Sequence, residues 1–401
     1  YGTFPSVGLG WALSQEQFMK NISWLDFLKL RLSWGQNGNR GISSYESLST
    51  MDLARYVFGD GGNTSVGLYP TSMANHLLGW ETSQSYNLGL DFTLFNNRLS
   101  GNIDLYSTKT TDLLLEVSIP SMTGYDKYLT NIGETQNRGI EVTLNSENIN
   151  TKDFSWSTSL NFSANANKIL HLSGEDLDGD GKEDDDIGKS RFIGYSMGSN
   201  YNYVFDGIWQ EGDDFSIDKS AKPGDIKFKD ISGNGSIGPE DRMVLHNNRP
   251  KFTMSMNNMF RYRDFTLSFL LDLRCGGYAA NNWINPGTEY YNRCNQLDLP
   301  YWTPENPLND RPSVGYSNPR GYGFYEKLTY LRLQDVSLAY SLPKSLIQKL
   351  TLNNVKVYVS GKNLATWTGW HGWDPEHASG GRASQNGPLI KSWVLGLQIS
   401  L

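Results

Sequence analysis

The chain has 401 residues and a formal net charge of −7, with 19% charged residues against 41 Gly, 22 Tyr, 17 Phe and 12 Trp. Its acidic balance, without any Lys/Arg cluster, argues against a nucleic-acid partner, and the absence of any run of about 18 apolar residues excludes a transmembrane helix. Gly-rich, aromatic-rich and charge-poor composition favours β structure, and a membrane β-barrel stays open because its strands need only alternate.

The first residues, "YGTFPSVGLGW", carry no signal peptide and read as the start of a fragment, in mid-pattern. Alternating segments begin near Phe4 and Leu28. In 86–94, Tyr86, Leu88, Leu90, Phe92 and Leu94 share one parity, with Asn87, Gly89, Asp91 and Thr93 on the other. Further segments begin near Leu99 and Gly139. In 154–162, Phe154, Trp156, Leu160 and Phe162 oppose Ser155, Ser157, Ser159 and Asn161. Others begin near Phe252, Phe265, Leu331 and Val355. The last sets Trp393, Leu395, Leu397, Ile399 and Leu401 against Gly396, Gln398 and Ser400.

These segments run to about ten residues or more, the length of a tilted strand crossing a bilayer, whereas strands of soluble sandwiches average about 5–6. Many end in Trp, Tyr or Phe, as an interfacial girdle requires. The polar parity suits a watery or plugged lumen. The expectation is a transmembrane antiparallel β-barrel.

Connections are short at 96–98, 146–153, 261–264 and the helical-looking 342–354, and long at 36–79, 115–132, 283–327 and 369–391. Outer-membrane barrels have short periplasmic turns and long extracellular loops. Counting back from a final strand that ends in the periplasm, the two kinds alternate if 170–251 is one extracellular excursion, with a small hairpin near "YNYVFDGIWQ" (201–210). About eleven spanning strands remain, and an odd number cannot close an up-and-down barrel in lipid. The rest of a larger barrel is therefore expected elsewhere.

Two loops in the excursion carry oxygen ligands at calcium-loop spacing. Asp230, Ser232, Asn234 and Gly235 stand at positions 1, 3, 5 and 6 of a twelve-residue loop that closes on Asp241, with Ser236 offering a backbone carbonyl. Asp176, Asp178, Asp180 and Gly181 repeat positions 1, 3, 5 and 6, but position 12 is Ile187, so Asp186 would close that loop only with a shifted register. A structural cation would order an excursion expected to lack a core. Asp and Asn residues that cap turns without metal are the other reading.

The sequence resembles the C-terminal part of SusC/RagA-type TonB-dependent outer-membrane transporters of Bacteroidetes. The segments that carry the resemblance, in order, are "FPSVGLGWALSQEQF" (4–18), "LKLRLSWGQNGN" (28–39), "NRGIEVTLN" (137–145), "YNYVFDGIWQ" (201–210), "KPGDIKFKDISGNGSIGPEDR" (222–242), "PKFTMSMNNMFRYRDFTLSF" (250–269), "YLRLQDVSLAYSLPKSL" (330–346), "VKVYVSGKNLATWTGW" (355–370) and "DPE" (374–376). The resemblance implies a plugged barrel of about twenty-two strands, with 1–401 as roughly its second half and the plug and N-terminal strands outside it. It also implies import of an oligosaccharide or peptide, energised by the TonB complex, under a SusD-like surface lipoprotein, in a dimer of such pairs. A TonB-dependent receptor for a small chelate or cofactor is the near alternative. A secreted, calcium-stabilised β-sandwich enzyme or adhesin is the distant one.

Trp283, Tyr290, Tyr291 and Trp302 fall in one long loop and could stack on sugar rings or grip peptide side chains; packing within the loop is the alternative. Trp367, Trp370 and Trp373 near the next loop suit membrane-interface anchoring as well as ligand contact. "GYSMG" (194–198) matches a hydrolase elbow in pattern, but the following residues read as strand rather than helix. "HGWDPEH" (371–377) gathers potential metal ligands whose helical presentation Pro375 breaks. Nothing fixes two carboxylates across a sugar, so no catalytic residue is expected. Cys275 and Cys294 are too few for a disulfide framework; a bridge and two free thiols both remain open.

Overall fold

The structure, a computed structural model, describes residues 2–41, 45–59, 62, 64–119, 121–125, 127–281, 284, 299–347, 352–376 and 389–400. β1 (Ser6–Trp11) and β2 (Leu25–Asn39) are followed by a loop hairpin, β3 (Thr50–Val57) and β4 (Thr64–Ser72). Next come β5 (Glu81–Leu94), β6 (Leu99–Ser118), β7 (Lys127–Asn150) and β8 (Phe154–His171). Short strands β9 (Ser199–Tyr203), β10 (Phe205–Ile208), β11 (Ile226–Phe228) and β12 (Arg242–Asn247) precede β13 (Phe252–Tyr262) and β14 (Phe265–Cys275). β15 (Tyr278–Ala280) pairs with β16 (Tyr325–Lys327) across a long loop, and β17 (Tyr330–Ser341), β18 (Asn354–Thr368) and β19 (Ser392–Ser400) complete the series.

An eleven-stranded antiparallel sheet runs β1-β2-β5-β6-β7-β8-β13-β14-β17-β18-β19. Every expected spanning strand is in it, each beside its neighbour in chain order once the loop strands are set aside. The sheet is open: β1 and β19 are its two edges.

Because the side-chain period is two and the register is straight, alternation along each strand becomes two chemically distinct faces. Leu32, Leu88, Leu105, Ile140 and Ala164 form one rung across five strands. On the other face Arg31, Gly89, Asp104, Glu141, Ser163, Thr253 and Arg274 form another. The apolar face is bare: Leu9 is 70% exposed, Leu32 52% and Leu105 45%. Water would not tolerate such a continuous apolar sheet face, but hydrocarbon would. A soluble sandwich would have packed a second sheet against it, so that alternative is overturned.

Short turns bear the marks of tight reversals. Asn96 and Asn97 between β5 and β6 sit at φ of 56° and 62°, a region Asn tolerates better than most residues. The helical-looking 342–354 holds one turn of helix among its described residues, Lys344–Ile347.

Two expectations for the excursion need correction. Residues 201–210 do not form a hairpin, because β9 pairs with β12 and β10 with β11. Nor does the excursion lack a core. Tyr203, Ile208, Ile226 and Phe228 are buried together with Trp302, Tyr316 and Phe324 of the loop before β16. The main core of the molecule lies here, above the wall.

Candidate functional site: the inner wall and its rim

The polar face of the sheet is a hydrogen-bonded surface. Arg31 on β2 grips Asp91 on β5 through two bonds of 2.8 Å and reaches Asp104 on β6 at 3.0 Å. Asn87 and Asn102 donate to the same Asp104 at 2.8 and 3.0 Å. A planar guanidinium donating to carboxylates on two neighbouring strands fixes their spacing as a lysine could not. Tyr106 lies over Gly139 so closely that a Cβ there would come within 2.4 Å of the ring. Glycine beneath a cross-strand tyrosine keeps this part of the wall smooth.

Towards the long-loop end, Arg332 on β17 is 2% exposed yet fully engaged. Its guanidinium bonds both oxygens of Asp374 at 2.9 and 2.8 Å, Glu376, and Thr366 at 3.1 Å. Nearby, Glu326 accepts from Asn281 at 2.6 Å and from the His371 backbone at 3.1 Å, and its other oxygen lies 2.6 Å from His371 Nδ1. Together these contacts draw the loop after β18 onto the rim. They also settle "HGWDPEH": Asp374 and Glu376 hold Arg332 and His371 holds Glu326, while His377 lies outside the described residues. Among the described residues, the set does not converge on a metal.

The rim itself is the small core described above. Trp302, expected as a stacking surface, is instead 7% exposed and donates its Nε1 to Gln210 at 2.8 Å. The ring is needed to cover Ile208 and Ile226, and so packing wins over presentation. Arg320 bonds Asp218 at 2.7 Å inside the same unit. Burial pushes the Tyr322 hydroxyl up to about 12 and the Asp225 carboxyl above its usual range. Trp283, Tyr290 and Tyr291 lie outside the described residues, as does Cys294, so the Cys275–Cys294 pairing does too. Trp370 is buried against Ala279 and Leu328, while Trp367, in register with outward Leu331, is 56% exposed as an interface anchor would be. After "GYSMG" the chain enters strand β9, not a helix.

The two calcium-like loops share one geometry. Asp230 accepts the Gly233 and Gly235 N–H groups at 2.6 and 2.8 Å; Asp176 accepts those of Gly179 and Gly181 at 2.7 and 3.0 Å. Each glycine sits at positive φ, between 71° and 80°, where side chains are strained. Ser232, Asn234 and Ser236 bond within the first loop, Ser236 donating to Asn234 at 2.8 Å. Asp241 closes it, fully buried, accepting from Ile231 and Ser232 at 2.9 Å and Gly238 at 2.7 Å. Burial alone would raise this carboxyl, but the three backbone donors outweigh it and hold it below the usual carboxylate range.

In the second loop closure falls on Asp184, which accepts the Leu177 N–H at 2.7 Å, as Asp241 accepts that of Ile231. Asp186, expected to close it in shifted register, instead caps Lys189. Oxygens of Asp176, Asp178 and Asp184 lie within 4.8 Å of one another, while Asp180 turns to the Lys182 N–H.

Comparison with known proteins agrees with this architecture. The family description "TonB dependent receptor-like, beta-barrel" matches residues 1–364. TonB-dependent receptor P3 of Formosa agariphila is 36% identical over 94% of this chain and 38% of its own length. TonB-dependent receptor SusC of Bacteroides thetaiotaomicron is 31% identical over the whole of this chain and 40% of its own length. The RagAB peptide transporter structure superposes with a TM-score of 0.80 at 26% identity, over 99% of this chain and 43% of that one. The chain thus spans about two fifths of the length of the relatives it matches. An open sheet of eleven strands is what such a share of a larger barrel should contain, and the chain belongs to the TonB-dependent receptor β-barrel family of the outer membrane, with SusC and RagA as its kin.

Proposed function

We propose that the protein takes part in TonB-dependent import of an oligosaccharide or peptide across the outer membrane, beneath a SusD-like surface lipoprotein. The observation that carries this reading is the combination of a polar, hydrogen-bonded inner wall with a folded, core-bearing rim above it. A hydrated wall passes a large polar solute, and a rim with its own core offers a firm seat for a capping partner. The similarity to the RagAB peptide transporter supports a peptide, and an oligosaccharide is the other large polar solute such a wall suits. Plug, remaining strands, TonB contact and pairing of two transporter–lipoprotein units belong to the same proposal.

The test is purification from outer membranes in mild detergent, followed by mass spectrometry and by uptake assays with labelled oligosaccharides and peptides. Co-purification of a SusD-like lipoprotein and loss of one uptake activity on gene deletion are expected. A complete transporter with no lipoprotein, importing a metal chelate instead, would overturn the reading.

We also propose that the Asp176–Asp178–Asp184 cluster takes a structural divalent cation such as calcium, with Asp230, Ser232, Asn234, Ser236 and Asp241 as the weaker second site. Three carboxylates converging on one point repel unless neutralised, and hard oxygen donors suit calcium. Protection of residues 176–186 from trypsin by calcium, reversed by a chelator, is the expected result; identical cleavage in both would refute it.

A further inference from the structure

The apolar face of the wall gives way to positive charge near the long-loop end. A groove of about 650 Å³ opens there, floored by Leu105, Ile140 and Ala164 and rimmed by Arg138, Arg249 and Lys251. The floor belongs to the outward rung already described. Arg138 sits two residues from Ile140, in register with Ser107 and Ala166, on the same outward parity. Lys168, diagonal to Arg138 through the Gln136 pairing, is a second cation on that parity, while Arg249 and Lys251 lie just ahead of β13. All four cations are exposed.

Charge decides what the groove suits. No acidic residue lines it, and none of the four cations forms an ion pair among the described residues. Several cations elsewhere on the wall are matched, Arg31 with Asp91 and Asp104, Lys109 with Glu134 and Lys127 with Glu116. What sets this place apart is that four cations gather beside an apolar floor with no carboxylate among the lining residues, in a chain of net charge −7.

Depth decides where the occupant stands. From Phe154 at the short-turn end of β8 to Ala164 the chain advances about 33 Å along the strand, or roughly 23 Å vertically at a tilt near 45°. That matches the roughly 25 Å apolar band of outer-membrane barrels. The Phe162–Phe252 ring pair, 5.5 Å between centroids, marks the girdle just below the groove. The cations therefore stand where outer-leaflet headgroups begin, and the floor stands among the acyl chains.

We infer that this groove binds a phosphorylated, multiply acylated lipid of the outer leaflet, its acyl chains against Leu105, Ile140 and Ala164 and its phosphate between Arg138, Arg249 and Lys251. Arginine matches phosphate in fork geometry and Lys adds a point charge. The site is independent of whatever the barrel imports.

The test uses the complete transporter in mild detergent, with native mass spectrometry reading occupancy by diphosphorylated lipid A and by its dephosphorylated counterpart. The wild type should hold the phosphorylated lipid at least tenfold more tightly. The triple variant Arg138→Gln/Arg249→Gln/Lys251→Gln should lose on the order of a hundredfold, since each cation near an anionic lipid surface is worth several-fold. A control, Lys356→Gln/Lys362→Gln, removes the same kind of charge on the inner parity of β18 and should change nothing. Unchanged heat-modifiability on SDS gels establishes that the triple variant is folded. Equal binding of both lipids, equal loss in the control, or full competition by inorganic phosphate alone would each overturn the inference.

Discussion

Asp241 shows how much order one carboxylate can impose on a loop. Three backbone N–H groups converge on it, so Asp241→Ala leaves buried donors unpaired and should cost at least about 2 kcal/mol locally. Hydrogen exchange across 230–241 should rise accordingly. Its lowered pKa fixes the sign with pH: the stabilisation is complete above the unfolded value near 4 and disappears as pH falls through the lower folded value. The loop should therefore loosen on acidification below about pH 4, and Asp241→Asn should abolish that dependence. Arg332→Met strands the buried Asp374 without its counter-charge, which costs about 3–5 kcal/mol; protease cleavage within 369–376 should follow. The two turns were legible as residue spacing, because the Asp at position 1 accepts the N–H groups of the glycines at positions 4 and 6 by local geometry alone. Closure by Asp184 was not legible, since it depends on where the chain returns. The fate of Trp302 was hidden for a stronger reason: its partners Ile208 and Ile226 lie 94 and 76 residues earlier.

Wall strands were the easiest elements to read. A strand with lipid on one side and polar contacts on the other must alternate, and a one-residue slip would carry every leucine into the lumen. Leu88→Arg, in the middle of β5 on the outward face, should cost about 2–4 kcal/mol and lower the temperature at which the transporter loses its fast-migrating form on SDS gels. Ser33→Arg, on the inward parity of β2, should shift it little. The rim strands were harder. β9 and β10 are adjacent in sequence and only five and four residues long, so they look like one hairpin. Their partners, β12 and β11, lie beyond an intervening loop, and such pairing leaves no periodic trace.

At the scale of the whole molecule, two strand edges stand unpaired along their length. Each unsatisfied backbone group in hydrocarbon costs several kcal/mol, so β1 and β19 require further strands before the wall can rest in a bilayer. The odd strand count carried this conclusion in the sequence itself, because parity alone forbids closure. The joint rim core makes a different prediction. Trp302→Ala, costing about 3–5 kcal/mol, should raise hydrogen exchange together in 203–228 and 316–324, as one cooperative unit.

That shared core has a mechanical consequence. The excursion springs from between β8 and β13, and the loop that completes its core springs from between β14 and β17, so four neighbouring wall strands are roped together at the top. Strapped in this way, these four strands should move as one body. On the other flank the strands of the β3–β4 hairpin pair only with each other, and the loop beyond it is tied to β7, where Asn75 donates to Leu129 at 2.8 Å and Asn131 to Gly79 at 3.2 Å. A push on any one of β8, β13, β14 and β17 at its upper end is thus shared by all four, as by the slats of one panel.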